Sequence, residues 1–299
     1  MLFSNDPDQR SKSLHFLNHV SQNYGCFHLV NHGVPQGIIE SVLKGISDFF
    51  DPTDVENRRV YAGKNPTGMI KWGMCSSQAG DNREHLNVVV HPQFHCPPKP
   101  PHFSAALEEY WKRLREVELG LAKAMSRALG FEECYIEKAL DLKSGIDVFA
   151  TNLYPPNFMS KGRMGLVDHT DPGLFVSLIQ DVNGGLQVLS HDGKWVDVNM
   201  LPSSIFIIFS DHLEILTNGK CKSKVHRVVV GDNKVRRISA STLHGPSLET
   251  FVKPAVEFVD DSHPPAYRGM TYKESLEANG FRMIDIKSSL QQMTIVSNI

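Results

Sequence analysis

Seven short apolar runs, separated by turns rich in glycine, proline, asparagine and aspartate, fill the sequence from about residue 146 to residue 243. Each run is four to eight residues long, which is the length of a strand rather than of a helix. Strands at this spacing are typical of a sandwich or jelly roll, in which strands far apart in the chain become neighbours. The runs are 147–154, 174–180, 185–190, 195–198, 204–210, 224–230 and 237–243.

The first half of the chain carries a different pattern. Apolar residues recur at helical spacing in 8–24, in a segment that begins near Pro35, and in a long segment from about 103 to 129. A strand is predicted for 26–30, and the many Pro, Gly, Asn and Asp residues of 51–102 predict irregular structure. Gly130 is placed to end the long helix.

The two patterns together predict an α+β protein. A helical N-terminal region, residues 1–145, is expected to pack on a β core, residues 146–250. A C-terminal part, residues 251–299, is predicted to hold a helix near 271–278 and a polar tail. We find no internal repeat and no low-complexity tract.

The composition excludes several classes of function. The chain has 299 residues, 41% of them hydrophobic and 21% charged, and a formal net charge of -2. A protein without a basic excess is not expected to bind nucleic acid or an anionic membrane surface. The five cysteines are scattered and odd in number. The N-terminus has no signal-peptide pattern, so the cysteines are predicted to be reduced thiols in a cytoplasmic protein. We expect this protein to be monomeric.

The candidate metal ligands are His169, Asp171 and His226. His169 and Asp171 form an HxD step, and residues two apart on a strand face the same side. His226 lies in a distant strand-like run, which a jelly roll can bring beside the first. Two histidines and one carboxylate form the facial triad of Fe(II) oxygenases, which leaves three open positions for a bidentate 2-oxo acid and O2. An isolated HxD is a weak signal, because fourteen histidines make chance pairings easy.

A second pair of motifs strengthens the prediction. Arg237 and Ser239 also lie two apart on a strand-like run, and together they offer a guanidinium fork and a hydroxyl to a carboxylate. Asn152 and Tyr154 place an amide and a phenol on one strand face shortly before the HxD step. Each motif alone is more often structural, an arginine in a surface ion pair or a tyrosine in a core.

At these motifs the chain resembles the plant 2-oxoglutarate-dependent dioxygenases, the family of flavonoid oxidases, gibberellin oxidases and alkaloid hydroxylases. The resemblance covers almost the whole chain, including Tyr24-Gly25-Cys26-Phe27 and Val30-Asn31-His32-Gly33-Val34-Pro35 in the first half. The motifs in the second half are Asn152-Leu153-Tyr154-Pro155-Pro156, His169-Thr170-Asp171-Pro172-Gly173, Gly184-Gly185-Leu186-Gln187-Val188, Gly193-Lys194-Trp195-Val196-Asp197-Val198, Val225-His226-Arg227-Val228-Val229 and Arg237-Ile238-Ser239.

The resemblance implies a fold, a reaction and a role for each motif. The fold is a distorted double-stranded β-helix, a cupin-like jelly roll, with N-terminal helices. Fe(II) would be bound by the three candidate ligands, and 2-oxoglutarate would be held by Arg237, Ser239, Tyr154 and Asn152. No catalytic side chain is implied beyond the iron ligands, and ascorbate is a candidate reductant. The implied activity is oxidation of a small secondary metabolite or hormone by O2, as hydroxylation, O-demethylation or desaturation, with release of succinate and CO2.

One departure from the family pattern concerns the N-terminus. Family members usually carry a longer leader with a P-x-I-D strand before the first helix, whereas this sequence starts almost at that helix. We therefore expect weaker stability and weaker substrate binding than in a chain that carries the leader. His32 in the Asn31-His32-Gly33 turn is interpreted as structural.

Two other functions compete with the oxygenase. A family member could hold metal without turnover and act as a binding protein, although a complete ligand set argues against an idle site. A zinc hydrolase would leave Arg237 and Ser239 unexplained, and the sequence has no HExxH. The presumed pocket wall that follows Ser239, residues 240–244, is small and mildly apolar, which favours a neutral or weakly acidic substrate.

Overall fold

The computed structural model describes residues 6–62, 68–76, 82–156, 163–230, 235–278 and 293–295. Most of the predicted polar tail, and the first five residues, lie outside these ranges. The helices are α1 (Pro7–Asn23), α2 (Gln36–Phe49), α3 (Val55–Arg59), α4 (Pro101–Ala128), α5 (Tyr135–Ala139), α6 (Asp211–Leu216) and α7 (Tyr272–Ala278). The strands are β1 (Cys26–Leu29), β2 (Ile70–Ser76), β3 (Asn82–His91), β4 (Ile146–Tyr154), β5 (Arg163–His169), β6 (Phe175–Gln180), β7 (Leu186–Leu189), β8 (Trp195–Asp197), β9 (Ile205–Phe209), β10 (His226–Val230), β11 (Arg237–Gly245), β12 (Phe251–Val252) and β13 (Met270–Thr271).

Two antiparallel sheets face each other and form the jelly roll. The larger sheet has seven strands in the order β1-β9-β6-β11-β4-β3-β2, and the smaller has four in the order β5-β10-β7-β8. Strands distant in sequence are neighbours in both sheets, as the spacing of the apolar runs predicted. The α+β class and the double-stranded β-helix are therefore confirmed.

The long helices follow the sequence signals closely. Asp6 caps α1, since its side chain accepts hydrogen bonds from the backbone N–H groups of Asp8 and Gln9. The helix α4 begins at Pro101, and Gly130 follows its C-cap with a φ of +91°, a conformation that glycine adopts without strain. The predicted ends of both helices are correct to within two residues.

The expectation of irregular structure in 51–102 was wrong. This segment contains the β2–β3 hairpin, which extends the seven-stranded sheet beyond β4. The N-terminal region is consequently not only helical, because β1, β2 and β3 all join the larger sheet. The hairpin was not predicted for two reasons. The segment is rich in turn residues, and most of the hairpin positions that face the cavity are polar instead of apolar: Lys71, Arg83, His85 and Asn87. Strand β5 and helix α6 also escaped the sequence analysis.

Apolar residues form separate cores on the two faces of the larger sheet. The main core lies between this sheet and the helices α1, α2, α4 and α5, where Ile46, Leu86 and Phe103 are fully buried. A smaller cluster between the sheets includes Leu178, Leu186 and Phe206. Leu178 and Leu186 of this cluster also line a cavity between the two sheets. No described helix has the length and apolar character needed to cross a membrane.

A buried charged cluster joins α4 to the larger sheet. His244 on β11 lies opposite Asp147 on β4, with 2.7 Å between His244 Nδ1 and Asp147 Oδ1. Glu118 on α4 accepts a hydrogen bond of 2.7 Å from the hydroxyl of Ser177, and its second carboxylate oxygen lies 3.6 Å from His244 Nδ1. Arg115 forms an ion pair with Asp147. Buried charges are tolerated here because each lies beside an opposite charge.

The cluster shifts the pKa of each of its acids in a different direction. Burial raises the pKa of Glu118 to about 7, against the opposing effect of His244. Burial also acts against the charge of Asp147, but His244 and Arg115 outweigh it and lower the Asp147 pKa to about 2. In the folded protein Asp147 is thus fully ionised at pH 7, whereas Glu118 is protonated well below pH 7 and loses its proton near that pH.

The stability of the fold should therefore depend on Glu118 near neutral pH. Because the folded-state pKa is raised, its contribution is complete below the ordinary pKa of 4.5 and is lost as the pH rises through about 7. One proton changes the free energy of unfolding by up to about 1.4 kcal/mol per pH unit. We expect Glu118→Gln to make the decline in this free energy between pH 5 and pH 7 less steep, as measured by urea unfolding in EDTA.

The matched control is Glu116→Gln, which removes an exposed carboxylate from the same helix. Its stability should follow the wild-type pH profile. Parallel profiles for wild type and Glu118→Gln would show that Glu118 does not titrate in this range.

Candidate metal centre and active site

Pairing of two strands from the smaller sheet brings the two candidate histidines together. His169 is the last residue of β5 and His226 is the first residue of β10, and the antiparallel register places them directly opposite each other. Their ring centroids are 4.2 Å apart. The side chains lie on the face of the sheet that points into the jelly roll, and both are buried.

Asp171 reaches the same point from a turn rather than from a strand. Strand β5 ends at His169, and Pro172, which has no N–H for a sheet ladder, follows Asp171. The sequence motif predicted that His169 and Asp171 lie together, and they do. The reason given, that both lie on one strand and face the same side, is wrong for Asp171, because only His169 lies on the strand. The Asp171 carbonyl accepts a hydrogen bond of 3.0 Å from the N–H of Asp211, which anchors the turn on α6.

The three side chains converge on one small volume. The distance is 3.6 Å from His169 Nε2 to Asp171 Oδ1 and 3.3 Å from His226 Nε2 to Asp171 Oδ2. One ligand atom from each residue lies within 4.8 Å of the other two. This donor set of two imidazole nitrogens and one carboxylate oxygen is the set that non-haem Fe(II) prefers when it keeps open positions.

Backbone carbonyls fix the orientation of both imidazoles. Nδ1 of His169 lies 2.7 Å from the carbonyl of Val167, and Nδ1 of His226 lies 3.0 Å from the carbonyl of Lys224. Each Nδ1–H therefore donates to a carbonyl, and each Nε2 presents its lone pair to the common centre. Metal-bound histidines are characteristically held in this way. The residues present thus fit a divalent metal ion.

The electrostatics of the three residues agree with metal binding. Burial and the neighbouring His226 lower the pKa of His169 to about 4, so its imidazole is neutral. Burial opposes a charge on His226, but the Asp171 carboxylate outweighs this and raises the His226 pKa. Burial also opposes ionisation of Asp171, yet the two histidines outweigh it and lower its pKa. The Asp171 carboxylate is therefore kept ionised beside two imidazoles, and a bound cation would stabilise it further.

Arg237 lines the same cavity as the candidate metal ligands. Its side chain is fully buried, and its guanidinium donates to the carbonyl of Gly184, to Ser239 Oγ at 3.1 Å and to Gln180 Oε1 at 2.6 Å. All three acceptors are neutral, and none of the described carboxylates forms an ion pair with it. Burial lowers the pKa of Arg237. A buried cation with only neutral partners fits a carboxylate ligand that supplies the missing charge.

Tyr154 and Asn152 lie beside Arg237 on the neighbouring strand. Tyr154 is the register partner of Arg237, and Asn152 is that of Ser239. The guanidinium lies 4.9 Å from the centre of the Tyr154 ring. The Tyr154 hydroxyl is buried without a hydrogen bond of standard geometry. The four residues predicted to hold the cosubstrate therefore line one end of one cavity, together with the three candidate metal ligands.

The sequence analysis missed two cationic residues of this cavity. Lys71 and Arg83, on the β2–β3 hairpin, line its wall, as does Asn87. Tyr272 and Leu276, on α7, line it near the metal ligands. The hairpin residues were missed because the segment 51–102 was expected to be irregular. An alternating pattern was available there, since Arg83, His85 and Asn87 alternate with Glu84, Leu86 and Val88, and the last two are apolar.

Family models match both halves of the chain. One, described as the 2OG-Fe(II) oxygenase superfamily, matches residues 145–246. Another, described as the N-terminal part of the non-haem dioxygenases in morphine synthesis, matches residues 2–108. The chain is 33% identical to 2-oxoglutarate-dependent dioxygenase 19 of Oryza sativa subsp. japonica, over 99% of the chain and 88% of that relative. It is 30% identical to a leucoanthocyanidin dioxygenase of Perilla frutescens, over 94% of the chain and 80% of that relative.

Solved structures share the same fold. A crystal structure of JOX2 in complex with 2OG, Fe and JA superposes with a TM-score of 0.84 at 23% identity, over 95% of this chain and 86% of that one. The dioxygenase for auxin oxidation from rice has a TM-score of 0.77 at 22% identity, over 95% of each chain.

The chain belongs to the 2OG-Fe(II) oxygenase superfamily. Within it, the protein is a member of the plant 2-oxoglutarate-dependent dioxygenase family, an oxidoreductase whose cofactor is Fe(II) and whose cosubstrate is 2-oxoglutarate.

Removal of any one of the three converging side chains should empty the metal site. We expect His169→Ala, Asp171→Ala and His226→Ala each to lower Fe(II) affinity by more than the roughly 10- to 100-fold cost of losing a residue that only orients a ligand. Turnover should be lost, with the far-UV circular dichroism unchanged. Metal binding can be measured by calorimetry with Mn(II) as a redox-stable probe.

His191→Ala is the control, since His191 is exposed in the turn between β7 and β8. It should bind metal like the wild type. A triad variant that retained wild-type affinity would remove that residue from the ligand set.

Proposed function

We propose that His169, Asp171 and His226 hold Fe(II), and that Arg237 and Ser239 hold the distal carboxylate of 2-oxoglutarate. Tyr154 and Asn152 add hydrogen bonds to the cosubstrate. The observation that carries the proposal is the pairing, in one cavity, of three converging metal-binding atoms with a buried arginine that has only neutral partners. An iron ion and a dicarboxylate would supply the charges that these residues lack.

When bound, iron and 2-oxoglutarate supply the oxidising chemistry: O2 is consumed, 2-oxoglutarate loses CO2 and becomes succinate, and a C–H bond of the substrate is oxidised. The residues of the chain bind and orient. The carbonyls of Val167 and Lys224 keep both Nε2 atoms directed at the metal. Apolar side chains on facing strands, Leu178, Leu186 and Val228, limit the access of water to the reaction centre.

The substrate is proposed to be a small secondary metabolite or a hormone. It would enter beside Val148, Ala150 and Leu243, which line the cavity on β4 and β11, and would place one C–H bond beside the metal. The product depends on which carbon is oxidised. Hydroxylation gives an alcohol, oxidation of an O-methyl carbon gives demethylation, and loss of a second hydrogen gives desaturation. We further propose that the protein acts as a monomer in the cytoplasm.

The function is tested by succinate formation. The purified protein with Fe(II), 2-oxoglutarate, ascorbate and a plant metabolite extract should release succinate, and omission of either Fe(II) or 2-oxoglutarate should abolish the release. Mass spectrometry of the same reaction should show 2-oxoglutarate-dependent shifts of a substrate mass. Binding of 2-oxoglutarate without any succinate would instead support a binding protein without turnover.

Arg237 should determine the affinity for 2-oxoglutarate. Hydrogen bonds to charged groups contribute about 1.5–3 kcal/mol, so Arg237→Ala should raise the KM for 2-oxoglutarate by roughly ten- to a hundred-fold. Arg237→Lys should restore only part of the affinity, because a point charge lacks the guanidinium fork. Ser239→Ala should cost less, about one neutral hydrogen bond. Initial rates against 2-oxoglutarate measure all three.

Arg227→Ala is the matched control, since Arg227 packs on Trp195 on the outer face of the smaller sheet. It should leave the KM unchanged. If Arg237 were only structural, Arg237→Ala would lower the melting temperature while the surviving protein kept its wild-type KM.

A further inference from the structure

The cavity contains a second buried guanidinium without a carboxylate. Arg83 on β3 is 5% exposed and lines the cavity that holds the metal ligands. One of its Nη atoms donates to Asn152 Oδ1, and its buried Nε has no hydrogen-bond partner. No carboxylate in the described ranges lies within ion-pair distance of it.

Three arginines of the described residues are buried: Arg58, Arg83 and Arg237. Arg58 lies 3.5 Å from the carboxylate of Glu84. Arg83 and Arg237 have no carboxylate partner among the described residues, and both line the cavity. Because an isolated buried cation is costly, an unpaired arginine in a cavity indicates a ligand that supplies the counter-charge. For Arg237 that ligand is the cosubstrate.

The charges that line the cavity leave a positive excess. Lys71, Arg83 and Arg237 are its cationic lining residues, and Asp171 is its carboxylate. Fe(II) and the dianion of 2-oxoglutarate cancel each other when both are bound. The lining then remains net positive, and Arg83 on the β2–β3 hairpin is a buried cation without a carboxylate among the described residues.

Both carboxylates of 2-oxoglutarate already have partners under the proposed function. The distal one would lie on Arg237, and the one beside the oxo group would chelate iron. Arg83 approaches from a different strand, since β4 separates β3 from β11. Further along the inward face of β3, beyond His85, lies Asn87, whose register partner on β2 is Lys71. This wall of the cavity is therefore available to the molecule that is oxidised.

We propose that Arg83 binds a carboxylate of the oxidised substrate, which is therefore an organic acid. The proposal rests on the proposed function and narrows its substrate class. Of the neutral and weakly acidic substrates expected from residues 240–244, it selects the acidic ones. The guanidinium provides two parallel N–H donors for a carboxylate, while the adjoining walls at Val89, Val148 and Leu243 take the apolar body.

The first test uses stability without ligands. Arg83→Gln removes the charge but keeps an amide that can donate to Asn152. If Arg83 is an unpaired buried cation, the metal-free variant should melt at the wild-type temperature or above it. Arg58→Gln, which breaks a buried ion pair, should melt at a lower temperature. A fall in melting temperature for Arg83→Gln comparable to that of Arg58→Gln would show that Arg83 is structural, and would overturn the proposal.

The second test uses matched acids and amides as probes. Benzoate, phenylacetate and cinnamate, and their uncharged amides, are titrated into the Mn(II)- and 2-oxoglutarate-loaded protein without O2, and binding is followed by calorimetry and by melting temperature. At least one acid should bind the wild type about tenfold or more tightly than its amide. Arg83→Gln should lose that preference, and Arg83→Lys should keep part of it.

Three results would overturn the assignment: no acid binds better than its amide, the preference survives in Arg83→Gln, or the acid displaces 2-oxoglutarate instead of binding beside it. The last would place the acid on Arg237. Failure of the proposed function is seen separately, because the wild type would then not bind 2-oxoglutarate before any acid is added.

Discussion

The antiparallel pairing of β5 with β10 is the interaction on which the active site depends. It places His169 opposite His226, and the carbonyls of Val167 and Lys224, two residues before each histidine, direct both Nε2 atoms to one centre. Two strands remote in sequence therefore create a candidate metal site that no local segment could form. This register is required, because a slip of either strand by one residue would turn the histidine of that strand to the other face of the sheet.

The two faces of the larger sheet differ in whether their buried charges are paired. On the helix-facing side, Glu118, Asp147, His244 and Arg115 form a closed cluster in which each charge lies beside an opposite one. On the cavity side, Arg237 and Arg83 have no carboxylate partner among the described residues. Paired charges attach α4 to the sheet, whereas unpaired charges remain available to ligands. The free-energy cost of burying an unpaired charge thus distinguishes the two kinds of arginine: those with a carboxylate partner are structural, and those without one face the cavity.

The cavity combines these features into a site for an oxidation that consumes a dicarboxylate. The candidate metal ligands, Arg237 on β11 and Arg83 on the β2–β3 hairpin all line this one cavity. A cosubstrate held by Arg237 and an acid held by Arg83 would then lie in the same cavity as the metal, each fixed by a guanidinium. This arrangement gives the protein a means to orient a C–H bond by binding a remote group of the same molecule.

The sequence by itself determined the strand and helix pattern, the jelly roll, the family and the residues nominated for iron and 2-oxoglutarate. These rest on local signals: apolar period, glycine and proline turns, and motifs whose members lie two residues apart. The tertiary structure decided what depends on distant pairing. It set the register that joins His169 to His226, placed Asp171 on a turn, and inserted the 70–91 hairpin into the sheet. It also revealed Arg83 and Lys71 in the cavity, because whether a polar side chain faces solvent or an enclosed site depends on the strands packed around it.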